Sequence, residues 1–520
     1  MTPQTLIKLR AILRNIHDYG CIEELLGWDQ QVMMPTKGME ARSRQLGLVA
    51  ELAHNTICSN ELGDLLEEAY EVVAEGSQEA AMVREAQRDR EIALRLPAPL
   101  VKKITEVTAE AHARWVKARV KDDFGVFAPI LKEIVALKRE QASALMREDT
   151  KHPYDTLMDE YEPNATVEWM DPLVERAASV AQKVYEEVQG STVSRPGLPA
   201  GSFDLDGQKV FCGKLLEWIG FDMEAGRLDA SVHPFTCGFD PGDVRLTTRY
   251  NADEPFMAFF STLHEGGHGL YEQGLPKEHV GTPLAQALSL GLHESQSRFW
   301  ENRIGRSLSF WRFAESALKK IFPRLPPEVT PENIYFAVNR VEASLCRTES
   351  DEVTYNLHIA LRYELEKALL IGDLEVDDLE DTWNCGMEKY LGVRPRSPKE
   401  GVLQDIHWSM GLFGYFGTYL LGNLYAAQWA QAMENDMART SVSRDLENAS
   451  SASSDLTKLD HLIEKGEFLF IRDWLKSNIH SHGRRYPADE LSRRLIGGLD
   501  SRYFESYIKK KYSRLYNIEV

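Results

Sequence analysis

Cysteine is scarce in this chain: Cys21, Cys58, Cys212, Cys237, Cys346 and Cys385 are the only six in 520 residues, and none form a Cys-x-x-Cys pair. That scatter argues against a disulfide framework and against a thiolate zinc site, and it fits a reducing interior. Positive charge is short as well, with 60 Lys+Arg against 80 Asp+Glu and a net charge of -20. Nucleic acid and anionic membranes are therefore not expected as main partners. Met1 to Asp18 mixes Lys8, Arg10 and Arg14 into an amphipathic pattern without an apolar h-region, so no secretory signal is expected. The run Trp408 to Met433 has no Asp, Glu, Lys or Arg, but four glycines, Asn423, Gln428 and Gln431 dilute it well below a spanning helix. It is expected to be a buried core segment of a soluble, cytoplasmic protein. No internal repeat and no second compositional unit are visible, so the expectation is a single domain over 1–520.

What is present is apolar content of 43%, enough for a large core. Residues 1–190 read as almost wholly helical. Leu6, Leu9, Leu13 and Ile16 mark the first helix, and segments rich in Ala, Leu, Glu, Lys and Arg follow at 40–54, 61–74, 79–96, 99–121, 126–147 and 166–188. Gly190 to Gly207 is a Gly-, Ser- and Pro-rich surface connection. The period then changes. Val244, Leu246, Thr248 and Tyr250 alternate with polar residues, which predicts a strand, with turns at Cys237-Gly238 and Pro241-Gly242 before it. An edge strand at this place would pair with an extended peptide by strand addition. Residues 231–306 thus hold a small sheet and the helices beside it. Helix is expected again at 283–304 and, within the helical part 307–520, at 308–321, 331–342, 352–370, 382–391 and 466–516. Ala438 to Asp460 reads as a Ser- and Asn-rich surface insertion. The predicted fold is mainly α: one large helical body with a small β-sheet beside the central helix.

That central helix covers Asn251 to Gly274, with Asp253 as its expected N-cap and Pro255 in its first turn. It contains His264-Glu265-Gly266-Gly267-His268. Residues four apart share a helix face, so two imidazoles reach one cation while Glu265 projects beside it, placed to act on a metal-bound water. At this composition a His-Glu-x-x-His string arises by chance roughly 0.03 times, so the motif is read as a ligand pair. A catalytic zinc site needs a third protein ligand. Glu294 lies 26 residues after His268 on the following helix, and Glu272, His279, His293 and Glu301 compete with it.

Several separate motifs, in order, resemble those of the M32 carboxypeptidases, the family of carboxypeptidase Taq. They are His233-Pro234-Phe235, Asp243-Val244-Arg245-Leu246-Thr247, the His264–His268 motif, His293-Glu294-Ser295-Gln296, and Gly401 to Trp408 as G-x-x-Q-D-x-H-W. Leu26-Gly27-Trp28-Asp29 is similar too, so the likeness covers nearly the whole chain. Two places depart from the pattern: Cys346-Arg347-Thr348-Glu349-Ser350-Asp351 changes two positions of the family's I/V-R-x-x-A-D, and Gly417 stands where proline is usual. The resemblance implies a gluzincin-type helical body with a deep active-site groove, usually a homodimer. It also implies a metal-dependent enzyme of broad specificity that removes single residues from peptides with a free C-terminus.

By the same resemblance one Zn2+ per chain, with Co2+ as the alternative, is held by His264, His268 and Glu294, and Glu265 is the general base. His407 or Tyr419 is the expected second donor to the oxyanion; the competing role for Tyr419 is a core tyrosine. A carboxypeptidase also needs a cation for the terminal carboxylate, and a bidentate arginine serves best. Arg347 is the first choice and Arg245 the second, the alternative for Arg245 being an internal pair with Asp243. His233 is a further substrate contact or a turn histidine, and Asp405 either orients His407 or caps a helix. Competing readings are an oligopeptide endopeptidase or dipeptidyl carboxypeptidase on the same site, and a non-catalytic helical scaffold.

Overall fold

The computed structural model describes residues 4–193, 203–439 and 456–520. The helical period of the N-terminal part is realised as α1 (Gln4–Val32), α2 (Met39–Ile57), α3 (Asn60–Val72), α4 (Gln78–Arg95), α5 (Ala98–Lys121), α6 (Ala128–Leu145), α7 (Pro153–Met158) and α8 (Val167–Gln189). Several starts are set by side chains that satisfy otherwise orphaned N–H groups. Ser59 accepts from Leu62, Ser77 from Ala80 and Thr166 from Trp169. Three helices escaped the sequence reading, one of them the short Lys458–Glu464. α7 is too short to show a period, and α9 (Leu205–Ile219) opens inside the Gly-, Ser- and Pro-rich break, where Asp204 caps it by accepting from the Gly207 N–H. Half of that break (194–202) and most of the expected insertion (440–455) lie outside the described residues.

The sheet corrects three expectations. Its strands are β1 (Gly226–Ala230), β2 (Thr236–Asp240) and β3 (Asp243–Thr248), in the order β1-β3-β2, with β1 parallel and β2 antiparallel to β3. The strand read from alternation, β3, is therefore central and not an edge. Its backbone groups are already paired on both sides, so strand addition to it is closed. Cys237-Gly238 lies within β2 and does not form a turn, whereas Pro241-Gly242 does. β1 went unread because Gly-Arg-Leu-Asp-Ala carries one large apolar residue and so no alternation. The outer edge, β2, faces α1, where the Cys21 thiol donates to the Phe239 carbonyl at 2.9 Å.

Next comes α10 (Pro255–Gly274), the helix of the His-Glu-x-x-His motif. Glu254, not Asp253, occupies its N-cap position, and no side chain caps it; Asp253 instead donates its N–H to Asn251 Oδ1 at 3.0 Å. Pro255 at the first helical position makes the missing donor harmless. The continuous helix expected over 283–304 is broken. A 3-10 turn (Pro283–Ala285) precedes α11 (Leu290–Arg298), and Phe299–Gly305 continues as π-helix, a widened turn found mostly at functional sites. The remaining helices are α12 (Leu308–Ile321), α13 (Pro331–Val338), α14 (Thr354–Ile371), α15 (Leu379–Leu391), α16 (Phe416–Arg439), α17 (Lys458–Glu464), α18 (Phe468–Asn478), α19 (Ala488–Ile496) and α20 (Arg502–Tyr516). The charge-free run forms α16, buried along most of its length, and among the described residues no helix is long and apolar enough to cross a membrane.

One core runs from Val107 to Tyr516 and encloses Trp300, Trp311, Trp383 and Trp429. A smaller cluster joins α1, α3 and α4 through Leu6, Leu9, Leu13, Leu62, Leu65 and Leu66, with Leu284 reaching into it. α10 sits in the large core against the sheet, α9 and α11. Gly267 sets how closely α10 and α11 approach: a Cβ there would lie 2.5 Å from Gln296 O and 2.7 Å from Ser297 Cα, both backbone atoms that cannot swing aside. Gly267→Ala is therefore expected to destabilise the fold by about 1–3 kcal/mol, the usual range for overpacking. A thermal midpoint and activity equal to those of the parent would show that the two helices separate freely.

Candidate metal centre

The spacing of α10 puts His264 and His268 on one face, with ring centroids 4.9 Å apart. α11, capped by Ser289 accepting from the Leu292 N–H, brings Glu294 to the same place. Glu294 Oε2 lies 3.7 Å from His264 Nε2 and 3.4 Å from His268 Nε2. Its other oxygen is taken by Arg298, one turn on, which donates from Nε to Oε1 at 2.6 Å. The carboxylate is thereby turned so that one oxygen faces both imidazoles.

This set fits a zinc ion. Ligands about 2.0–2.2 Å from a tetrahedral zinc stand about 3.3–3.6 Å from one another, and the two measured separations fall at or near that range. Two nitrogens and one oxygen, all within 4.8 Å of one another, are what a catalytic zinc uses while keeping a position open. The charges agree. The carboxylates of Glu265, Glu272, Glu294 and Glu301 outnumber the guanidiniums of Arg298 and Arg306 around the cluster, which favours a cation. Burial alone would raise the Glu294 carboxyl, but Arg298 and the two imidazoles hold it well below the usual carboxylate range. Burial opposes a charged His264, yet the neighbouring Glu294 and Glu301 outweigh it and raise that imidazole. His268 is pushed down to about 3, first by burial and then by His293.

Glu265 is outside the ligand set and buried, and its Oε2 accepts from the Thr236 hydroxyl at 2.7 Å. Burial raises its carboxyl; His264 and Thr236 pull it back. The rivals for the third ligand sort by position. Glu301, on the π turn, accepts from His264 Nδ1 at 2.9 Å and is itself held by Arg306 at 3.0 Å. Glu272 lies 2.7 Å from His293 Nε2, and His293 Nδ1 lies 2.5 Å from His268 Nδ1. Glu301 and His293 thus meet the outer ring nitrogens of His264 and His268, and Glu272 stands behind His293. His279 is buried elsewhere, on a 3-10 turn near Arg10 and Glu79, and is not part of the cluster.

A second polar cluster joins the first through one tyrosine. Arg298 lies over the Tyr355 ring at 4.3 Å, and the Tyr355 hydroxyl accepts from Arg347 at 3.0 Å. Arg347 also donates to Asp405 Oδ1 at 3.0 Å, and Arg362 donates to Asp405 Oδ2 at 2.6 Å. Burial would raise the Asp405 carboxyl, and the two guanidiniums hold it far down. The two guanidiniums on one carboxylate leave a net positive charge here. Arg347 stacks over Tyr419 at 4.9 Å, and the Tyr419 hydroxyl lies 3.2 Å from His407 Nε2. His407, pushed down to about 3 by burial and by Arg347, has its Nδ1 3.9 Å from Asp405, too far for a hydrogen bond. Asp405 is thus engaged by the two arginines and neither orients His407 by a hydrogen bond nor caps a helix.

Arg245 is paired with Asp243 by two bonds of 2.9 Å and lies over Trp28 at 4.5 Å. His233 is exposed in the connection between β1 and β2. Sequence reasoning passed over Thr236, Arg298, Tyr355 and Arg362 as partners of the site. Arg298 alone carried a signal, its four-residue offset from Glu294 on one helix. The other three reach the site only through tertiary packing.

The family description "Carboxypeptidase Taq (M32) metallopeptidase" matches residues 8–512 of the chain. Among characterised proteins, the chain is 40% identical to thermostable carboxypeptidase 1 of Thermus thermophilus, covering 99% of this chain and 100% of that one. It is 34% identical to carboxypeptidase 1 of Bacillus subtilis, covering 97% of each. The fold is similar to that of an M32 carboxypeptidase from Deinococcus radiodurans, with a TM-score of 0.90 at 34% identity over 99% of this chain and 100% of the other. The Pyrococcus furiosus carboxypeptidase structure is comparable, with a TM-score of 0.91 at 35% identity over 98% and 99%.

Proposed function

Because the chain belongs to the M32 family and is a metallocarboxypeptidase, we propose that it releases single residues from free peptide C-termini, with broad specificity, through one zinc ion held by His264, His268 and Glu294. The observation that carries the reading is Glu294 Oε2, turned by Arg298 toward both Nε2 atoms while Glu265 stays outside the ligand set. When bound, zinc polarises a scissile carbonyl and brings the pKa of a coordinated water down to about 7. Glu265 takes the proton from the attacking water and returns it to the leaving amine. Thr236 orients that carboxylate by donating to Oε2, leaving Oε1 for the proton. Tyr419 or His407 donates a second hydrogen bond to the developing oxyanion, a contact worth on the order of 3 kcal/mol in comparable sites.

Arg347 is assigned to the substrate's terminal carboxylate, with Arg245 and His233 as further contacts. The net positive charge of the Arg347–Arg362–Asp405 group favours it over Arg245, whose guanidinium is already matched by Asp243. Arg347→Ala is expected to raise KM for free-acid peptides about 10- to 100-fold, as loss of a charge-assisted bond worth about 1.5–3 kcal/mol implies. The companion measurement digests an N-blocked peptide with a free or an amidated end and identifies the first product. One amino acid, from the free acid only, supports this reading; internal fragments or dipeptides would support an endopeptidase or dipeptidyl carboxypeptidase instead. An unchanged preference for free acids in Arg347→Ala would transfer the role to another arginine. The homodimer implied by the resemblance and the cytoplasmic location read from the sequence belong to the same proposal, with solution mass as the check on the dimer.

A further inference from the structure

The two imidazoles of the centre are supported differently. His264 Nδ1 meets a carboxylate directly, Glu301 at 2.9 Å, whereas His268 Nδ1 meets another imidazole, His293, at 2.5 Å. The far nitrogen of His293, Nε2, then lies 2.7 Å from Glu272 Oε1. An ionised carboxylate only accepts, so His293 Nε2 carries a proton and donates. On the metal reading given above, His268 ligates through the lone pair of Nε2, the atom 3.4 Å from Glu294 Oε2, so its ring proton sits on Nδ1 and donates to His293 Nδ1, which accepts. Were His293 protonated on both nitrogens, the order would reverse. His268 would carry its proton on Nε2 and could not ligate.

We propose that His293 and Glu272 are positioning residues that set the tautomer of His268 through a one-way chain, His268 Nδ1–H to His293 Nδ1 and His293 Nε2–H to Glu272. The inference rests on the metal reading given above. The chain also has an anchor outside the helices. Glu272 lies against Gly238 of β2, where a Cβ would stand 2.6 Å from Glu272 Cγ and 2.7 Å from its Oε2. Two residues earlier the same strand supplies Thr236 to Glu265. β2 therefore positions both the carboxylate beside the site and the carboxylate behind His268. It follows that Gly238→Ala, which touches neither imidazole, disturbs His268 through Glu272.

The test uses the full-length protein, with zinc affinity read by competition against a chromophoric chelator. The visible bands of the cobalt-substituted protein and the thermal midpoint of the metal-depleted protein are read alongside. His293→Phe keeps a ring where His293 packs against His268 and Tyr271, with centroids 4.5 and 5.2 Å away, but removes both nitrogens. It is expected to weaken zinc binding about 10- to 100-fold, the usual cost of losing an outer partner of a ligating histidine, and to shift the cobalt bands. Glu272→Gln keeps an acceptor and should fall short of that loss, and Gly238→Ala should change affinity in the same direction. Zinc affinity of His293→Phe within twofold of the parent would overturn the proposal. So would a lowered thermal midpoint with unchanged affinity and cobalt bands, since that outcome reports packing alone. If the parent bound no divalent metal, the metal reading itself would fall and this inference with it.

Discussion

Glu265→Gln is expected to lower kcat/KM by about 10²- to 10⁴-fold, the range that a positioned general base contributes. The substitution keeps the side chain's volume and its amide oxygen, which still accepts from Thr236, so the 2.7 Å contact to β2 survives. Because Glu265 is not among the grouped ligands, zinc content and thermal midpoint should match the parent. This separation makes the test clean: activity collapses while metal and fold persist. A variant that retained nearly full activity would remove Glu265 from the proton transfer.

Glu294→Ala is expected to abolish stable zinc binding, and activity with it. The alanine removes the single oxygen that faces both imidazoles and also strips Arg298 of its 2.6 Å partner. Metal affinity should fall by more than the roughly 10–100-fold that loss of an outer partner costs. Arg298 then keeps only its longer 3.5 Å contact to Glu301, so the fold is destabilised as well, by less than the roughly 3–5 kcal/mol of a fully unpaired buried charge. Glu294→Gln is the companion that separates the two effects, since it keeps an oxygen for Arg298 and loses the anionic ligand. Metal analysis after gentle purification reads both variants, and full zinc occupancy in Glu294→Ala would refute the ligand assignment.

The motifs of greatest use in the sequence were those confined to one element. His264 and His268 are four residues apart, and an α-helix converts that spacing into a shared face whatever lies around it. The same regularity made α1 legible from apolar period and showed β3 by alternation, while α2 to α6 and α8 were legible from their content of strong helix formers. Signals that lacked a period went unseen: α7 is six residues, and β1 offers only Leu228 as a large apolar side chain. Asp253 illustrates the limit at helix ends, where the N-cap position fell to its neighbour Glu254 and no side chain caps the helix.

Sequence alone determined the helical class, the shared helix face of His264 and His268 with Glu265 beside it, and the motif order that marks the family. Tertiary structure decided which carboxylate does what. Glu272, Glu294 and Glu301 are alike as residue types and all follow His268 in the chain, Glu272 on the same helix and the other two beyond the loop after it. Packing at Gly267 brings α11 against α10, Arg298 then turns Glu294 inward, and the π turn carries Glu301 to the back of His264. Tertiary structure likewise placed β3 in the middle of the sheet, gave β2 the contact to Glu265, and engaged Arg347 with Asp405. The division has one physical cause. Relations within a helix or strand follow from backbone geometry repeated along the chain, whereas relations between elements follow from packing that leaves no period in the sequence.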